Sequence, residues 1–279
     1  MYPYKLCLGT STSLGCDIID QIGKFSDAGF SGFFTPFTSD MDIKAIKSFA
    51  DEIGMHYQSI HAPFEKMADM WCEGDRAKEA VEELKNCLRA CAENEVGIMV
   101  AHAFCGFDGN GPTPEGVENF SEVILEAEKL GVKIALRNTE GYEYLRALME
   151  VFSSSNALGF CFDSGHELCY NKGRDQLEIY GDRLVATSLN DNLGRSSAEG
   201  EAKLTDDLHL MPFDGVADWQ WIAERLARID FSGPLTFEIS RKSKAGRHDN
   251  DKYMRMTTEE FIAEAYARAC KVAAILKRI

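Results

Sequence analysis

The sequence is short of basic residues relative to acidic ones. Its 279 residues include 30 lysines and arginines against 45 aspartates and glutamates, which gives a formal net charge of −15 at pH 7. A surface that binds nucleic acid needs the opposite balance, because it must neutralise backbone phosphates. The composition therefore argues against a nucleic-acid partner.

Long hydrophobic runs are also missing. No stretch reaches the roughly 18 consecutive apolar residues that cross a bilayer. The opening stretch, MYPYKLCLGTS, lacks the charged region followed by an apolar region that marks a secretory signal. We therefore expect no membrane partner and a cytoplasmic location.

The nine cysteines form no disulfide framework. They lie mostly inside apolar runs, and although Cys87 and Cys91 share a helix face, no second pair completes a metal site. This distribution is typical of reduced, buried thiols in a cytosolic protein.

The chain has neither a linker nor a low-complexity segment, so we expect one domain over residues 1–279. Short apolar runs alternate with segments of helical periodicity. The runs are KLCLGTS (5–11), GFFTPFT (32–38), MHYQSIHAPF (55–64), GIMVAHAF (97–104), KIALRNT (133–139), ALGFCFDSGH (157–166), LVATSLNDN (184–192) and PLTFEIS (234–240). The helical segments include residues 75–95, 115–130, 171–181 and 258–278, and the last begins with a Thr-Glu-Glu capping signal.

Eight βα units in a chain of this length indicate an α/β fold, a parallel sheet closed into a (β/α)8 TIM barrel. The alternative is an open doubly wound sheet, but no Gly-rich phosphate loop follows the first run. In a (β/α)8 barrel, the ligand site lies at the C-terminal ends of the strands and in the loops that follow them.

Polar residues gather at these strand ends. They are His61, His102, Arg137, Asn138, Asp163, His166, Ser188, Asn190, Asp191 and Glu238. Two long loops, 193–216 and 241–257, add Asp207, His209 and Arg241. Of the six histidines, only His56 lies outside these positions. We predict that this end of the barrel is a ligand site.

Four phrases carry a resemblance to a known family. FDSGH (162–166), LNDN (189–192), DLHLMPFDG (207–215) and LTFE (235–238) resemble the xylose isomerase-like TIM barrels. That superfamily includes sugar isomerases and epimerases and the endonuclease IV type of DNA-repair enzyme. The resemblance implies a divalent metal held by Glu, Asp, His and Glu from strands five to eight. Asp163 and Glu238 match, but Arg137 and Ser188 stand where the first Glu and the His are expected.

Arg137 thus replaces a carboxylate ligand. Glu140 is a poor substitute, because a shift of three residues places a side chain on the opposite strand face. The family's three carboxylates and divalent ion sum to a charge of −1, as do Arg137, Asp163 and Glu238. A guanidinium fork also matches carboxylates. We predict that Arg137 pairs with Asp163, Glu238 or both where the metal would lie. The alternative is an arginine that bends outward into solvent.

The resemblance implies an isomerase or epimerase of a sugar, sugar phosphate or sugar acid, acting by proton transfer next to a carbonyl. The expected catalytic residues are Glu238, Asp163, Arg137 and His166. The expected substrate-binding residues are His61, His102, Asn138, Ser188, Asn190 and Arg241. Loss of two ligands leaves open a non-catalytic carbohydrate-binding relative. A homo-oligomer is compatible with either.

Two further expectations concern the loops. His166, Asp207 and His209 correspond to one zinc position of the endonuclease IV type, and this donor set suits a divalent ion such as zinc or manganese. The loop 241–257 has six basic and two acidic residues, a local excess of +4. That excess favours an anionic substrate, because barrels often bind phosphate near strands seven and eight. A solvated loop is the alternative.

Overall fold

The computed structural model describes residues 4–171 and 174–279. In these ranges eight parallel strands alternate with helices and form a nearly closed (β/α)8 TIM barrel, which confirms the predicted fold. The strands are β1 (Leu6–Gly9), β2 (Gly32–Pro36), β3 (His56–His61), β4 (Ile98–His102), β5 (Lys133–Arg137), β6 (Leu158–Asp163), β7 (Leu184–Ser188) and β8 (Leu235–Phe237). Each predicted apolar run contains one of them.

The helices follow the strands along the chain, and the last two come after β8. They are α1 (Ile18–Ala28), α2 (Ile43–Glu52), α3 (Asp75–Glu93), α4 (Pro114–Leu130), α5 (Tyr142–Val151), α6 (Ser164–Cys169), α7 (Gln176–Tyr180), α8 (Trp219–Arg228), α9 (Asp251–Met254) and α10 (Thr258–Leu276). Of the helix predicted over 171–181, α7 is observed, and residues 172 and 173 lie outside the described part. No helix in the described ranges is long and apolar enough to cross a membrane.

Local sequence signals explain where helices begin. At the start of α10, the Thr257 hydroxyl accepts from the backbone N–H of Glu260 at 3.1 Å. The Glu260 carboxylate accepts in return from the Thr257 N–H at 2.8 Å. This reciprocal capping box satisfies two donors that the first helical turn leaves free, as the Thr-Glu-Glu signal predicts.

Hydrogen bonds between β7 and β8 nearly close the barrel. The N–H of Leu189, just after β7, donates to Thr236 O at 2.7 Å, and the N–H of Glu238, just after β8, donates to Leu189 O at 3.2 Å. The ends of the two strands therefore meet, and they bring Ser188 and Glu238 together.

Small side chains fill one part of the barrel interior. Val100, Ala135, Cys161 and Ala186, from β4 to β7, form a separate buried cluster. The larger core, with most of the aromatic residues, packs elsewhere against the helices. All nine cysteines are free, and five are buried, Cys161 among them.

Candidate functional site

Polar side chains form a layer directly above the small interior cluster. Side chains two residues apart on a strand share a face. The residues two positions after the members of that cluster are His102, Arg137, Asp163 and Ser188, and all four are buried. The strand period therefore gathers the predicted site residues at the C-terminal end of the barrel.

Arg137 lies between the two carboxylates that the sequence predicts as its partners. Its Nη2 is 2.5 Å from Glu238 Oε2, and its Nη1 is 3.6 Å from Asp163 Oδ2. Only 4% of its side chain is exposed, so the alternative of an arginine that bends outward into solvent is wrong. Burial opposes its charge, but Glu238 and Asp163 outweigh burial and raise the pKa of the guanidinium above its usual range.

Glu238 is the carboxylate that opens toward solvent. Its side chain is 29% exposed, and it accepts a second hydrogen bond from the Ser188 hydroxyl at 2.8 Å. Burial acts to raise its pKa, but Arg137, His209 and His61 outweigh burial and hold the pKa of Glu238 below its usual range. Glu238 is therefore ionised at neutral pH.

Asp163 is fixed from several sides. Its Oδ1 accepts from the N–H of His166 at 2.9 Å and from Asn190 Nδ2 at 3.0 Å. Asn138 bonds the Asp163 backbone on both sides, at 2.7 Å to its N–H and 2.9 Å to its carbonyl. Asp163 Oδ2, which faces Arg137, is buried and has no hydrogen-bond partner within the described ranges. The two asparagines thus hold Asp163 in place for the arginine.

The residues present do not fit the four-ligand metal site that the resemblance implies. Arg137 directs a cation at both remaining carboxylates, and Ser188 offers a hydroxyl where an imidazole is expected. A divalent ion between Asp163 and Glu238 would have to displace the guanidinium, which would leave a buried charge unpaired.

His61 and His102 form the wall beside Arg137. Their ring centroids are 5.0 Å apart, and the partly exposed ring of Phe64 stacks on His102 at 5.2 Å. Burial, followed by the charge of Arg137, lowers the pKa of His61 to about 4. Burial together with His61 and Arg137 also holds the pKa of His102 well below its usual range. Both rings are therefore neutral at neutral pH, and each carries an uncharged donor and acceptor.

A second cluster joins α6 to the loop after β7. Asp207 lies between two imidazoles, 3.3 Å from His166 Nε2 and 3.0 Å from His209 Nε2. The other nitrogen of each ring faces a backbone carbonyl at 3.0 Å, Asn138 O for His166 and Glu238 O for His209. These bonds fix each ring with Nε2 toward Asp207, as outer hydrogen bonds do in metal sites. His209 adopts a positive φ of 50°, which is uncommon for a residue with a side chain.

The charges of this triad differ from those of the His61 and His102 pair. Burial opposes protonation of His209, but Asp207 and Glu238 outweigh it and raise the pKa of His209 to about 9. Burial also opposes protonation of His166, but Asp163 and Asp207 outweigh burial and raise its pKa. His209 therefore favours the imidazolium form at neutral pH, and a metal ion would have to displace its proton.

Most of the basic side chains in the loop after β8 bond to acidic side chains or backbone carbonyls of the protein itself. Lys244 Nζ lies 3.1 Å from Asp207 Oδ2, Arg247 pairs with Asp206 and Asp249, and Lys252 pairs with Asp214. Arg241 donates to the carbonyls of Tyr253 and Met256 and to the Thr258 hydroxyl. Arg241 thus ties the loop to the start of α10 and does not join the cluster around Arg137.

A cavity of about 540 Å³ adjoins the triad at the same end of the barrel. Its wall includes Tyr170, whose ring centroid lies 5.0 Å from that of His166. Glu140 also lines it and accepts from the N–H of Gly106 at 2.8 Å, so it does not contact the carboxylates beside Arg137.

Sequence reasoning missed several residues of this site. Phe64 and Lys244 contact site residues, and Asn171 supports Asn138 through a 2.8 Å hydrogen bond. Phe64 ends the predicted run 55–64, three residues after β3 ends at His61, and this position near the strand end was the available signal. The sequence offered no signal for Lys244, because nothing distinguishes it from the other five basic residues of its loop.

Comparisons with known proteins agree with this architecture. A protein named y4fM from Sinorhizobium fredii, described as uncharacterized, is 28% identical over 271 residues, with 83% of each chain covered. The solved IOLI protein with a bound zinc atom is 18% identical, with a TM-score of 0.73 over 98% of both chains. A D-psicose 3-epimerase with D-tagatose from Clostridium cellulolyticum H10 is 18% identical, with a TM-score of 0.68 over 96% of this chain and 99% of that one.

The match also extends to part of a larger protein. The chain spans 41% of the length of a xylose isomerase-like TIM barrel/4-hydroxyphenylpyruvate dioxygenase fusion protein, with 18% identity and a TM-score of 0.70 over 90% of this chain. At these identities the solved structures share the fold. The sequence profile described as xylose isomerase-like TIM barrel matches residues 22–264, most of the chain. The chain therefore belongs to the xylose isomerase-like TIM barrel family.

Proposed function

We propose that the protein is an isomerase or epimerase of a small carbohydrate and moves a proton at the carbon next to a carbonyl. The observation that carries the proposal is the pair of carboxylates, Asp163 and Glu238, held on either side of Arg137 at the mouth of the barrel. Two carboxylates and a fixed cation supply a base and an electrophile for this reaction.

In the proposed reaction, Glu238 takes the proton from carbon, because it is the carboxylate open to solvent. The negative charge that develops on the carbonyl oxygen is stabilised by the Arg137 guanidinium. The epimer forms when Glu238 keeps the abstracted proton and a water molecule on the opposite face protonates the same carbon. The aldose–ketose isomer forms when Glu238 returns the proton to the neighbouring carbon on the same face, while the hydroxyl proton moves to the former carbonyl oxygen.

Substrate binding activates the base in this scheme. In the free protein, Arg137 is bonded to Glu238 and lowers its basicity. A substrate oxygen that takes over donors of the guanidinium weakens this bond and raises the pKa of Glu238. The neutral rings of His61 and His102 then bind sugar hydroxyls, while Ser188 orients Glu238 and the two asparagines orient Asp163.

The triad His166, Asp207 and His209 fits a zinc or manganese ion as a proposed cofactor. Its three ligand atoms lie within 4.8 Å of one another, and backbone carbonyls already orient both rings. A bound ion would supply a Lewis acid for a substrate oxygen, with open positions for water or substrate. The proton transfer at Glu238 and Arg137 does not depend on it.

The proposal is tested by exchange of carbon-bound hydrogen with solvent. A panel of ketoses and aldoses is incubated with the protein in D₂O, and deuterium next to the carbonyl is followed by NMR. We expect exchange with at least one sugar, with the Glu238→Gln variant slower by about 10²-fold or more. Lys242→Met, in the neighbouring loop, is the control. Exchange that is unchanged in Glu238→Gln would remove Glu238 as the base.

A second candidate function, carbohydrate binding without catalysis, is favoured by one observation. The 2.5 Å contact between Arg137 and Glu238 lowers the pKa of the proposed base, and a weaker base abstracts a proton from carbon less readily. Saturable sugar binding with no deuterium exchange for any sugar in the panel would favour this function over catalysis.

A further inference from the structure

The cavity beside the triad is large enough for more than a few waters. Its volume of about 540 Å³ falls within the range of small-molecule sites, roughly 300–1,000 Å³. It lies between the loops after β4, β5 and β7 and two residues that follow α6, Tyr170 and Arg174, all at the functional end of the barrel.

Aromatic rings form part of its wall. Phe107 is 47% exposed, and its ring centroid lies 6.0 Å from that of Tyr170. The guanidinium of Arg174, another lining residue, lies over the ring of Tyr142, 4.3 Å from its centroid. An exposed aromatic ring offers an apolar face to a ligand, and the C–H face of a sugar ring matches it.

The charges around the cavity disfavour an anion. Glu140, Glu143, Glu199 and Glu201 face Arg174 and Arg195, a formal net charge of −2. The Arg195 guanidinium donates to the carbonyls of Cys169, Tyr170 and Gly200, so its donors are occupied. Arg174 has no ion pair with any residue in 4–171 or 174–279. Carboxylate acceptors beside one planar donor suit a neutral polyol.

Three cations of the loop after β8 do not compensate the negative charge of the cavity wall. Lys244, Arg247 and Lys252 are paired with carboxylates of the protein itself. The predicted anionic substrate therefore loses part of its support, because these three cations already have carboxylate partners in the protein.

The cavity adjoins the triad through Tyr170. Tyr170 lines the cavity and contacts the His166 ring. Glu140 also lines the cavity, two residues after Asn138, whose side chain accepts a hydrogen bond from the Asp163 N–H. We infer that this cavity binds an uncharged sugar unit joined to the reacting unit, so that the substrate is a neutral glycoside. The inference rests on the proposed function for the identity of the reacting unit, but not for the binding itself.

Calorimetric titration with cellobiose, maltose and trehalose against D-glucose tests the inference. At least one disaccharide is expected to bind more tightly than glucose, and trehalose 6-phosphate more weakly than trehalose. Phe107→Ala and Arg174→Ala should each weaken disaccharide binding by about tenfold and leave glucose binding unchanged. Arg146→Ala is the matched control, because Arg146 is an exposed arginine of α5 that does not line the cavity.

Disaccharides that all bind no tighter than glucose overturn the inference, as does an Arg174→Ala effect no larger than that of Arg146→Ala. Because the readout is binding, its failure is distinct from failure of the proposed function. If monosaccharides show deuterium exchange but no disaccharide binds more tightly than glucose, the proposed function stands and the proposed subsite does not. If a disaccharide binds in a way that depends on Arg174 but no sugar shows deuterium exchange, the proposed subsite stands and the protein binds carbohydrate without catalysis.

Discussion

Arg137 differs from a divalent ion in how it distributes its charge. A metal ion draws several ligands toward one point, whereas a guanidinium is planar and directs its donors along fixed lines. Here one end of the plane bonds Glu238 at 2.5 Å, and the other lies 3.6 Å from Asp163. The unequal distances leave Asp163 Oδ2 without a hydrogen bond, so the arginine holds Glu238 more closely than Asp163.

Removal of the arginine is predicted to destabilise the fold. Arg137→Ala leaves two carboxylates close together without a cation, and we expect a loss of about 1–3 kcal/mol in the free energy of unfolding. Urea denaturation at neutral pH measures it. Arg146→Ala, at an exposed ion pair with Glu150, should change stability by less than about 1 kcal/mol. Equal effects of the two variants would mean that the buried pair contributes nothing.

Single residues of the site differ in how far the sequence predicts them. The pairing of Arg137 with Asp163 and Glu238 was predicted from the strand ends together with the family resemblance, which places all three residues at ligand positions of one centre. The roles of Asn138 and Asn190 were expected to be substrate binding, whereas the structure shows them hydrogen-bonded to Asp163. Their partners depend on the meeting of separate strands, which local pattern does not encode.

At the scale of elements, β6 and α6 show how one residue serves two purposes. Asp163 ends β6, and its carboxylate caps α6 by accepting from the N–H of His166. The run 157–166 predicts the strand but hides the helix, because the two adjoin without a loop. Residue 166 thereby enters the triad from the first turn of a helix.

The loop after β8 also shapes the triad, through Lys244. A lysine 3.1 Å from Asp207 competes with any metal ion for that carboxylate. We predict that the protein binds about one equivalent of zinc through the triad, and that His209→Ala loses it. Lys244→Met should tighten zinc binding by roughly three- to tenfold, because it removes a neighbouring positive charge.

Calorimetric titration with zinc measures both effects, and Lys242→Met serves as the control from the same loop. Zinc binding that persists in His209→Ala would place the ion elsewhere. If neither the unaltered protein nor Lys244→Met takes up zinc, the triad is a hydrogen-bonded cluster of two imidazoles and a carboxylate.

For the whole molecule, closure of the barrel decides which residues meet. Arg137 and Glu238 are 101 residues apart in the chain and come into contact because β5 and β8 end at the same rim. The alternation of strands and helices is enough to predict this rim. The cavity beside the triad could not be predicted in the same way, because several separate loops enclose it and their conformations depend on contacts among them.

The prediction that Arg137 takes the place of a metal ion is tested most directly by a manganese titration of thermal unfolding. Two variants are compared, and both carry His209→Ala, which removes the triad as a binding site. The second also carries Arg137→Glu and Ser188→His, which complete the family's four ligands with Asp163 and Glu238. A ligand that binds only the folded state stabilises it, by about 2.7 kcal/mol at a concentration 100 times its Kd.

We predict that manganese raises the Tm of the second variant in a concentration-dependent way and leaves that of the first unchanged. A first variant that manganese stabilises, with the effect lost on adding Glu238→Gln, would contradict the proposed role of Arg137 and restore a metal ion between the two carboxylates.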